Sequence, residues 1–277
     1  MMQLGLIGYP LGHSLSPEIH KAALKACGLQ GDYSLFPIPS DDLEELKALL
    51  ARIRSGEIIG LNVTIPHKQN VIPLLDKLTP IAQTIGAVNT IFMQNGLLTG
   101  DNTDIPGFLA DLKHFIGIQN SKNENRKLAL VLGAGGSARA VVYALVGDGW
   151  KVTVAARRSE QAQELANRYS VHVTNYASLY LPETTLIVNT TPVGMSPNVD
   201  VSPWPAIQQF PPNAIIYDLI YNPSETKVVR EARTAGLPAT TGLGMLIEQA
   251  ALSFEIWTGC NVSREHLYKA VGTTCLE

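Results

Sequence analysis

Three cysteines in 277 residues, Cys27, Cys260 and Cys275, are few, far apart and odd in number, and no C-x-x-C pair occurs. That pattern argues against a disulfide framework and a zinc ribbon, and predicts reduced thiols in a cytoplasmic protein. No apolar run reaches membrane-spanning length, and the opening MMQLGLIGYP is too short and too broken by glycine for a secretory signal. Charge is sparse in both signs: 21 basic against 24 acidic residues, with no Lys/Arg-rich run, leaves no field for nucleic acid. The six histidines are scattered and no carboxylates pair with them, so no metal site is expected. Internal repeats and low-complexity tracts are lacking too. What remains is ordinary globular composition, 45% hydrophobic and 16% charged, long enough for two modest domains.

Two α/β blocks stand along the chain, separated by a polar segment, Gln119–Lys127, that reads as a loop. In the first, LGLIG (Leu4–Gly8) predicts a strand, and Ser16 before Pro17 predicts the N-cap and first-turn proline of a helix to about Cys27. A strand (DYSLFPI) and a helix over Asp41–Arg54 follow, with leucines at 43, 46, 49 and 50. Ile58–Thr64 predicts a strand, Pro66 a short helix, Ala87–Phe92 another strand, and Gln94-Asn95-Gly96 a turn. The second block opens with a strand at Leu128, adds strands at Lys151–Ala156, near Val171–Val173, at Leu186–Asn189 and at Ala214–Asp218, and closes at Thr240–Gly244. A last apolar helix, Met245–Trp257, carries Glu248 and Gln249 as polar interruptions and needs a surface to bury against, which a return to the first block would supply. Strands alternating with helices predict an α/β fold with mostly parallel sheets in two domains and a cleft between them. One domain is expected over residues 1–104, completed by 246–277, and the other over 105–245.

The stretch Leu128–Ala156 indicates a cofactor. LALVL runs into Gly133-Ala134-Gly135-Gly136-Ser137-Ala138, and a helical pattern follows to about Gly147. Gly133, Gly135 and Ala138 fill the small positions of G-x-G-x-x-G/A: a tight turn, close approach of a pyrophosphate, and close packing of helix on strand. The helix start then offers N–H groups to the phosphates. An NAD site usually places an acid after the second strand, to bind the ribose 2′-hydroxyl. Here Arg157-Arg158 stand instead, and two guanidinium groups suit a 2′-phosphate in charge and in forked geometry. The alternative is a solvated basic loop. The expected cofactor is NADP(H).

Polar residues also gather where strands of the first block finish: His13, Ser14 and Ser16; Asn62, Thr64, His67 and Lys68; Asn89 and Thr90; Asp101–Asp104. Hydroxyls, amides, one lysine and one aspartate suit a small polyhydroxylated ligand, whose alcohols need donors and acceptors in alternation. Each has a plainer role. Ser16 caps a helix, Lys68 alone is a surface lysine, and Asp104 alone is an N-cap for the helix through Phe108. His13 and His67 are acid–base candidates or backbone-orienting groups, and Gln249 a core amide or a ligand contact. Without a metal, carbonyl reduction needs a side-chain proton donor, and Lys68 held by Asp104 is the most economical.

The segments SLSP (14–17), NVTIPHK (62–68), GAVNT (86–90), GDNTD (100–104), GAGGSARA (133–140), NTTPVGM (189–195), DLIYNP (218–223) and the GLGMLIEQAALSFEIWTG tail, in this order, resemble the shikimate dehydrogenase family. The resemblance covers practically the whole chain. It implies a discontinuous substrate domain, an NADP-binding Rossmann domain, and reversible reduction of 3-dehydroshikimate to shikimate on the route to chorismate and the aromatic amino acids. It is compatible with a homodimer. By resemblance Ser14 and Ser16 bind the carboxylate side of the substrate, and Thr64, Lys68, Asn89, Asp104 and Gln249 surround its ring hydroxyls with Tyr221 nearby. Lys68 and Asp104 carry the catalytic roles. Gly133, Ala134, Gly135, Gly136, Ser137 and Ala138 hold the pyrophosphate, Arg157 and Arg158 the 2′-phosphate, and Asn189, Thr190, Thr191, Leu219 and Gly242 line the nicotinamide side.

Two positions depart from the family pattern. Ala156-Arg157-Arg158 replaces the common Asn-Arg-Thr, and Pro80 stands where an acid is common, so Pro80 is given no cofactor role. Three rival readings are a quinate/shikimate dehydrogenase with relaxed cofactor use, a non-catalytic NADPH-binding regulator, and a glutamyl-tRNA reductase-like enzyme. The first wants an acid after the second strand. The second leaves the Lys68/Asp104 pair without purpose, and the third lacks a nucleophilic cysteine at the strand ends and a basic surface.

Overall fold

The computed structural model describes residues 1–119, 127–176, 179 and 181–273, so most of the expected inter-block loop lies outside the described residues. The chain divides into two compact units, Met1–Gly107 with Ile247–Glu277, and Phe108–Leu246.

The first unit runs β1 (Met2–Gly8), α1 (Ser16–Ala26), β2 (Gly31–Pro37), α2 (Leu43–Arg54), β3 (Gly60–Val63), α3 (His67–Asn70), β4 (Lys77–Leu78), α4 (Pro80–Ile85), β5 (Thr90–Gln94) and β6 (Leu97–Asp101). Its sheet has the order β2-β1-β3-β5-β6-β4. β1 lies parallel to both β2 and β3, as crossover helices require. β5 instead pairs antiparallel with both β3 and β6. The cause is local: Asn95 and Gly96 both take positive φ, 52° and 77°, the two-residue hairpin geometry in which a second strand folds straight back. The sequence showed this turn, but the strand behind it was not expected. α2 shows how the helices dock: Asp42 caps it by accepting from Glu45 N at 3.0 Å, and Leu46, Leu49, Leu50 and Ile53 make its buried stripe. That stripe joins Ile7, Leu61, Val63 and Ile91 from the sheet in one core.

α5 (Asp104–Ile118) leads into the second unit, which holds β7 (Leu128–Leu132), α6 (Gly136–Gly147), β8 (Lys151–Ala155), α7 (Ser159–Tyr169), β9 (His172–Thr174), β10 (Leu186–Asn189), β11 (Ile215–Asp218), α8 (Lys227–Thr234) and β12 (Ala239–Thr241). All pairs in its sheet, ordered β12-β11-β10-β7-β8-β9, are parallel. The chain winds from β7 to one edge, then restarts at β10 and winds to the other, so the carboxyl ends of β7 and β10 flank a topological switch point. α9 (Leu243–Thr258) and α10 (Arg264–Ala270) end the chain's regular structure.

Two expectations fail in the first unit. Ser16 is not the cap of α1 but its first residue; the cap position is Leu15, which makes no side-chain cap bond, and Ser14 Oγ accepts from Ser16 N at 3.3 Å. Nor are Cys27 and Cys260 both free thiols: they form a disulfide, with Cα atoms 6.5 Å apart across 233 residues of sequence. Spacing along the chain is silent on pairing once a terminal segment returns to the start, and here the residue closing α1 meets one just beyond α9.

Candidate active site

In the first unit, two of the polar residues at the strand ends, Lys68 and Asn89, converge on one carboxylate. Asp104 opens α5, but its side chain does not cap that helix. One oxygen, Oδ2, accepts from Lys68 Nζ at 2.6 Å, and the other, Oδ1, accepts from Asn89 Nδ2 at 2.9 Å. Lys68 rides on α3, whose place is fixed by Val88 N donating to the Lys68 carbonyl at 2.8 Å. Its side chain is 32% exposed against 14% for Asp104, so the ammonium stays open to a ligand while its partner is largely covered.

The Asn89 amide is held by an interior network. Its Oδ1 accepts from the Thr103 backbone N–H at 2.7 Å and from Thr90 Oγ1 at 2.9 Å. A backbone donor on that side fixes the flip, so Nδ2 must face Asp104. Thr90 and Thr103 each bond Ser253 Oγ, at 2.8 and 3.0 Å, and Ser253 also accepts from Asn62 Nδ2 at 2.9 Å. Asn62 Oδ1 takes the Tyr33 hydroxyl at 2.9 Å. All six of these residues are buried, which makes each unmade bond costly. Gln249 Oε1 lies 3.4 Å from Asn89 Nδ2, at the edge of the same group.

The other expected residues are placed by their own elements. Thr64 directly follows β3 and donates its N–H to Ile7 O; Ser14 precedes α1 and is half-buried, and Ser16 is buried. His67 is buried, with Nε2 2.6 Å from Ile38 O, so its ring ties backbone together, whereas His13 is exposed. Tyr221 belongs to the second unit, just after β11, and burial raises its hydroxyl pKa. Asn62, Thr90 and Thr103 stood in the strand-end cluster offered to a ligand but without individual roles, and Ser253 had no role from sequence. Ser253 carried a signal, since it sits four residues after Gln249 on one helix face.

The second unit presents the glycine turn at its switch point. Gly133 holds φ at +111°, and a Cβ there would meet Thr190 Oγ1 at 2.5 Å, so only glycine fits both the turn and its neighbour. Gly135 and Gly136 face open space, and Gly135 caps α6 without any side-chain bond. The first N–H groups of α6 are therefore available, and these residues fit a pyrophosphate. Asn189, Leu219 and Gly242 cluster at the ends of β10, β11 and β12: Leu219 N donates to Asn189 O at 3.0 Å, and a Cβ on Gly242 would strike the Leu219 carbonyl. Arg157 and Arg158 follow β8, both exposed, and among the described residues neither forms an ion pair. Two unpaired guanidinium groups beyond the strand next to the turn suit a further phosphate.

Comparison with known proteins decides the family. The family model described as the shikimate dehydrogenase substrate binding domain matches residues 6–91, that of shikimate / quinate 5-dehydrogenase matches 117–192, and that of the shikimate 5'-dehydrogenase C-terminal domain matches 242–271. The NADP(+) shikimate dehydrogenase of Trichormus variabilis is 40% identical, over 97% of this chain and 96% of its own. The chain belongs to the shikimate dehydrogenase family. Another member, the NADP(+) shikimate dehydrogenase of Oleidesulfovibrio alaskensis, is 43% identical over 92% of this chain and 89% of its own. The crystal structure of shikimate 5-dehydrogenase from Thermus thermophilus, in complex with NADP(H) and shikimate, superposes with a TM-score of 0.88 at 39% identity, covering 98% of this chain and 99% of that one. No helix among the described residues is long and apolar enough to cross a membrane.

Proposed function

We propose that this chain catalyses the reversible NADPH-dependent reduction of 3-dehydroshikimate to shikimate in the cytoplasm, serving chorismate and aromatic amino acid synthesis. The observation that carries the reading is the Lys68–Asp104 contact at 2.6 Å, with Asn89 on the other carboxylate oxygen. When bound, NADPH supplies the hydride to the ketone carbon. Lys68 Nζ gives a proton to the oxygen that becomes the alcohol, and in the reverse direction takes it back. Asp104 aims the ammonium and offers an acceptor to a neighbouring ring hydroxyl, so the proton donor is placed before the reaction begins. Ser14, Ser16, Thr64, Asn89, Tyr221 and Gln249 supply the remaining polar contacts to the ring. Gly133–Ala138 take the pyrophosphate, Arg157 and Arg158 the 2′-phosphate, and Asn189–Thr191, Leu219 and Gly242 the nicotinamide side.

A test follows reduced-nicotinamide absorbance with shikimate and quinate, each against NADP and NAD. Turnover of shikimate with NADP well above every other pair is expected. Turnover of quinate with NAD at a comparable rate would replace the reading with a broad quinate/shikimate enzyme, and cofactor binding without any turnover would leave a regulator.

A further inference from the structure

We infer that Asp218 is a positioning residue for the loop Asn189–Thr191, acting through the geometry of its acceptor oxygens rather than through its charge. This rests on the reading that the loop faces the cofactor. Asp218 closes β11 and is fully buried, with no ion-pair partner among the described residues. Its Oδ1 accepts from Asn189 Nδ2 at 2.8 Å and from Ile220 N at 3.1 Å, and its Oδ2 accepts from Thr226 Oγ1 at 2.7 Å.

An asparagine amide has one donating and one accepting end. With Nδ2 committed to Asp218, Oδ1 is turned toward Thr191, where it accepts from the backbone N–H at 3.0 Å and from Oγ1 at 2.7 Å. Rotating the amide by half a turn would set oxygen against the carboxylate and NH₂ against the Thr191 N–H, so Asp218 selects the orientation. The adjoining residue is fixed on the other side: Thr190 donates both N–H and Oγ1 to Leu132 O, at 2.9 and 2.7 Å, and stands against Gly133. Asp218 thereby sets the wall of the glycine turn from two strands away, since β10 separates β11 from β7.

The bonding pattern can be met without charge. In Asp218→Asn the amide oxygen still serves Asn189 and Ile220, while the new NH₂ points to Thr226 Oγ1, which turns to accept. Asp218→Ala removes every acceptor at once.

The test is NADPH binding by fluorescence titration, which needs no turnover, with KM for NADP+ and for shikimate and the thermal midpoint measured alongside. Asp218→Ala should weaken NADPH binding and raise KM for NADP+ by roughly tenfold, the scale of one lost buried hydrogen bond, with KM for shikimate unchanged. Asp218→Asn should restore affinity close to wild type. Thr226→Val, which leaves the Asp218–Asn189 bond in place, should lower the thermal midpoint without changing affinity. If Asp218→Ala does not fold, Asn189→Ser, too short to bridge Asp218 and Thr191, should show the same loss. Wild-type affinity in Asp218→Ala, or in Asn189→Ser, would overturn the inference and leave the proposed function standing. An Asp218→Asn variant as weak as Asp218→Ala would overturn it in favour of a charge effect. Wild-type protein that fails to bind NADPH would overturn both.

Discussion

Asn89 holds one oxygen of Asp104 at 2.9 Å, which leaves the other to face Lys68. A carboxylate bound on both sides cannot turn away, so the lysine has a fixed partner although the two residues are 36 positions apart. Lys68→Ala should lower kcat by roughly 10²–10⁴-fold, the usual worth of a placed proton donor, while KM for shikimate moves far less. Asp104→Asn should also lower kcat, because an amide cannot accept from both Lys68 and Asn89. Steady-state kinetics decide this, and unchanged turnover in Lys68→Ala would remove the residue from the chemistry.

Arg157 and Arg158 are exposed and unpaired, so their charges serve whatever anion arrives beyond β8. Alanine at either position should raise KM for NADP+ roughly tenfold, the scale of one charge-assisted hydrogen bond, and leave KM for NAD+ nearly unmoved. Equal effects on both cofactors would mean the arginines do not read the 2′-phosphate.

Ser253→Ala takes the shared hydroxyl from Asn62, Thr90 and Thr103 at once. Leaving buried polar groups without a partner should destabilise the protein by about 1–3 kcal/mol, measured by urea unfolding. A cost near zero would show that the remaining hydroxyls rearrange among themselves.

His20 is fully buried, stacked on Tyr33 at 4.3 Å and 2°, with neither ring nitrogen hydrogen-bonded. Desolvation lowers its pKa from 6.5 to about 3, with nearby Asn62 opposing. Between those values the unfolded chain binds a proton that the native state does not. Stability from this group is therefore complete above pH 6.5 and is lost as pH falls toward 3, at about 1.4 kcal/mol per pH unit. Between pH 6.5 and pH 4.5 wild type should lose about 2 kcal/mol of unfolding free energy relative to His20→Phe, whatever the substitution costs at neutrality. Parallel pH profiles would mean that His20 is protonated in the native state.

The Cys27–Cys260 bond closes a loop of more than two hundred residues, so reduction should cost about 2–4 kcal/mol of stability. Thiol titration of denatured protein should give one free thiol without reductant and three with it. Three without reductant would place the native chain in the reduced form.

Most strands and helices could be read from periodicity and punctuation, because β1, β7 and β10 are short apolar runs between glycine or polar breaks, and α2 carries its stripe openly. What escaped were relationships set by distant neighbours. The second arm of the β5–β6 hairpin is polar at its end and looked like part of a ligand loop. Ser16 matched the cap pattern, yet α1 starts one residue earlier than that pattern implies, with Leu15 in the helical region at φ −83°. Asn62 and Ser253 are 191 positions apart, and no local rule joins an amide on a strand to a hydroxyl on the last long helix. The cysteine pair failed for the same reason. The Lys68–Asp104 pairing was proposed from chemistry, and the structure brings the two side chains together.

Trp257 closes over β3: a Cβ on Gly60 would lie 2.2 Å from its indole nitrogen, which donates to Ile91 O at 3.2 Å. Trp257, Ser253 and Cys260 all leave the ribosome after the six strands of Phe108–Leu246 have been made. During synthesis, the part of the chain that is translated second can close its sheet first, while the amino-terminal strands wait for their final helix with Asn62 still hydrated. A stall or cleavage late in translation would thus spare the all-parallel sheet of the second unit and strand the first one half-built.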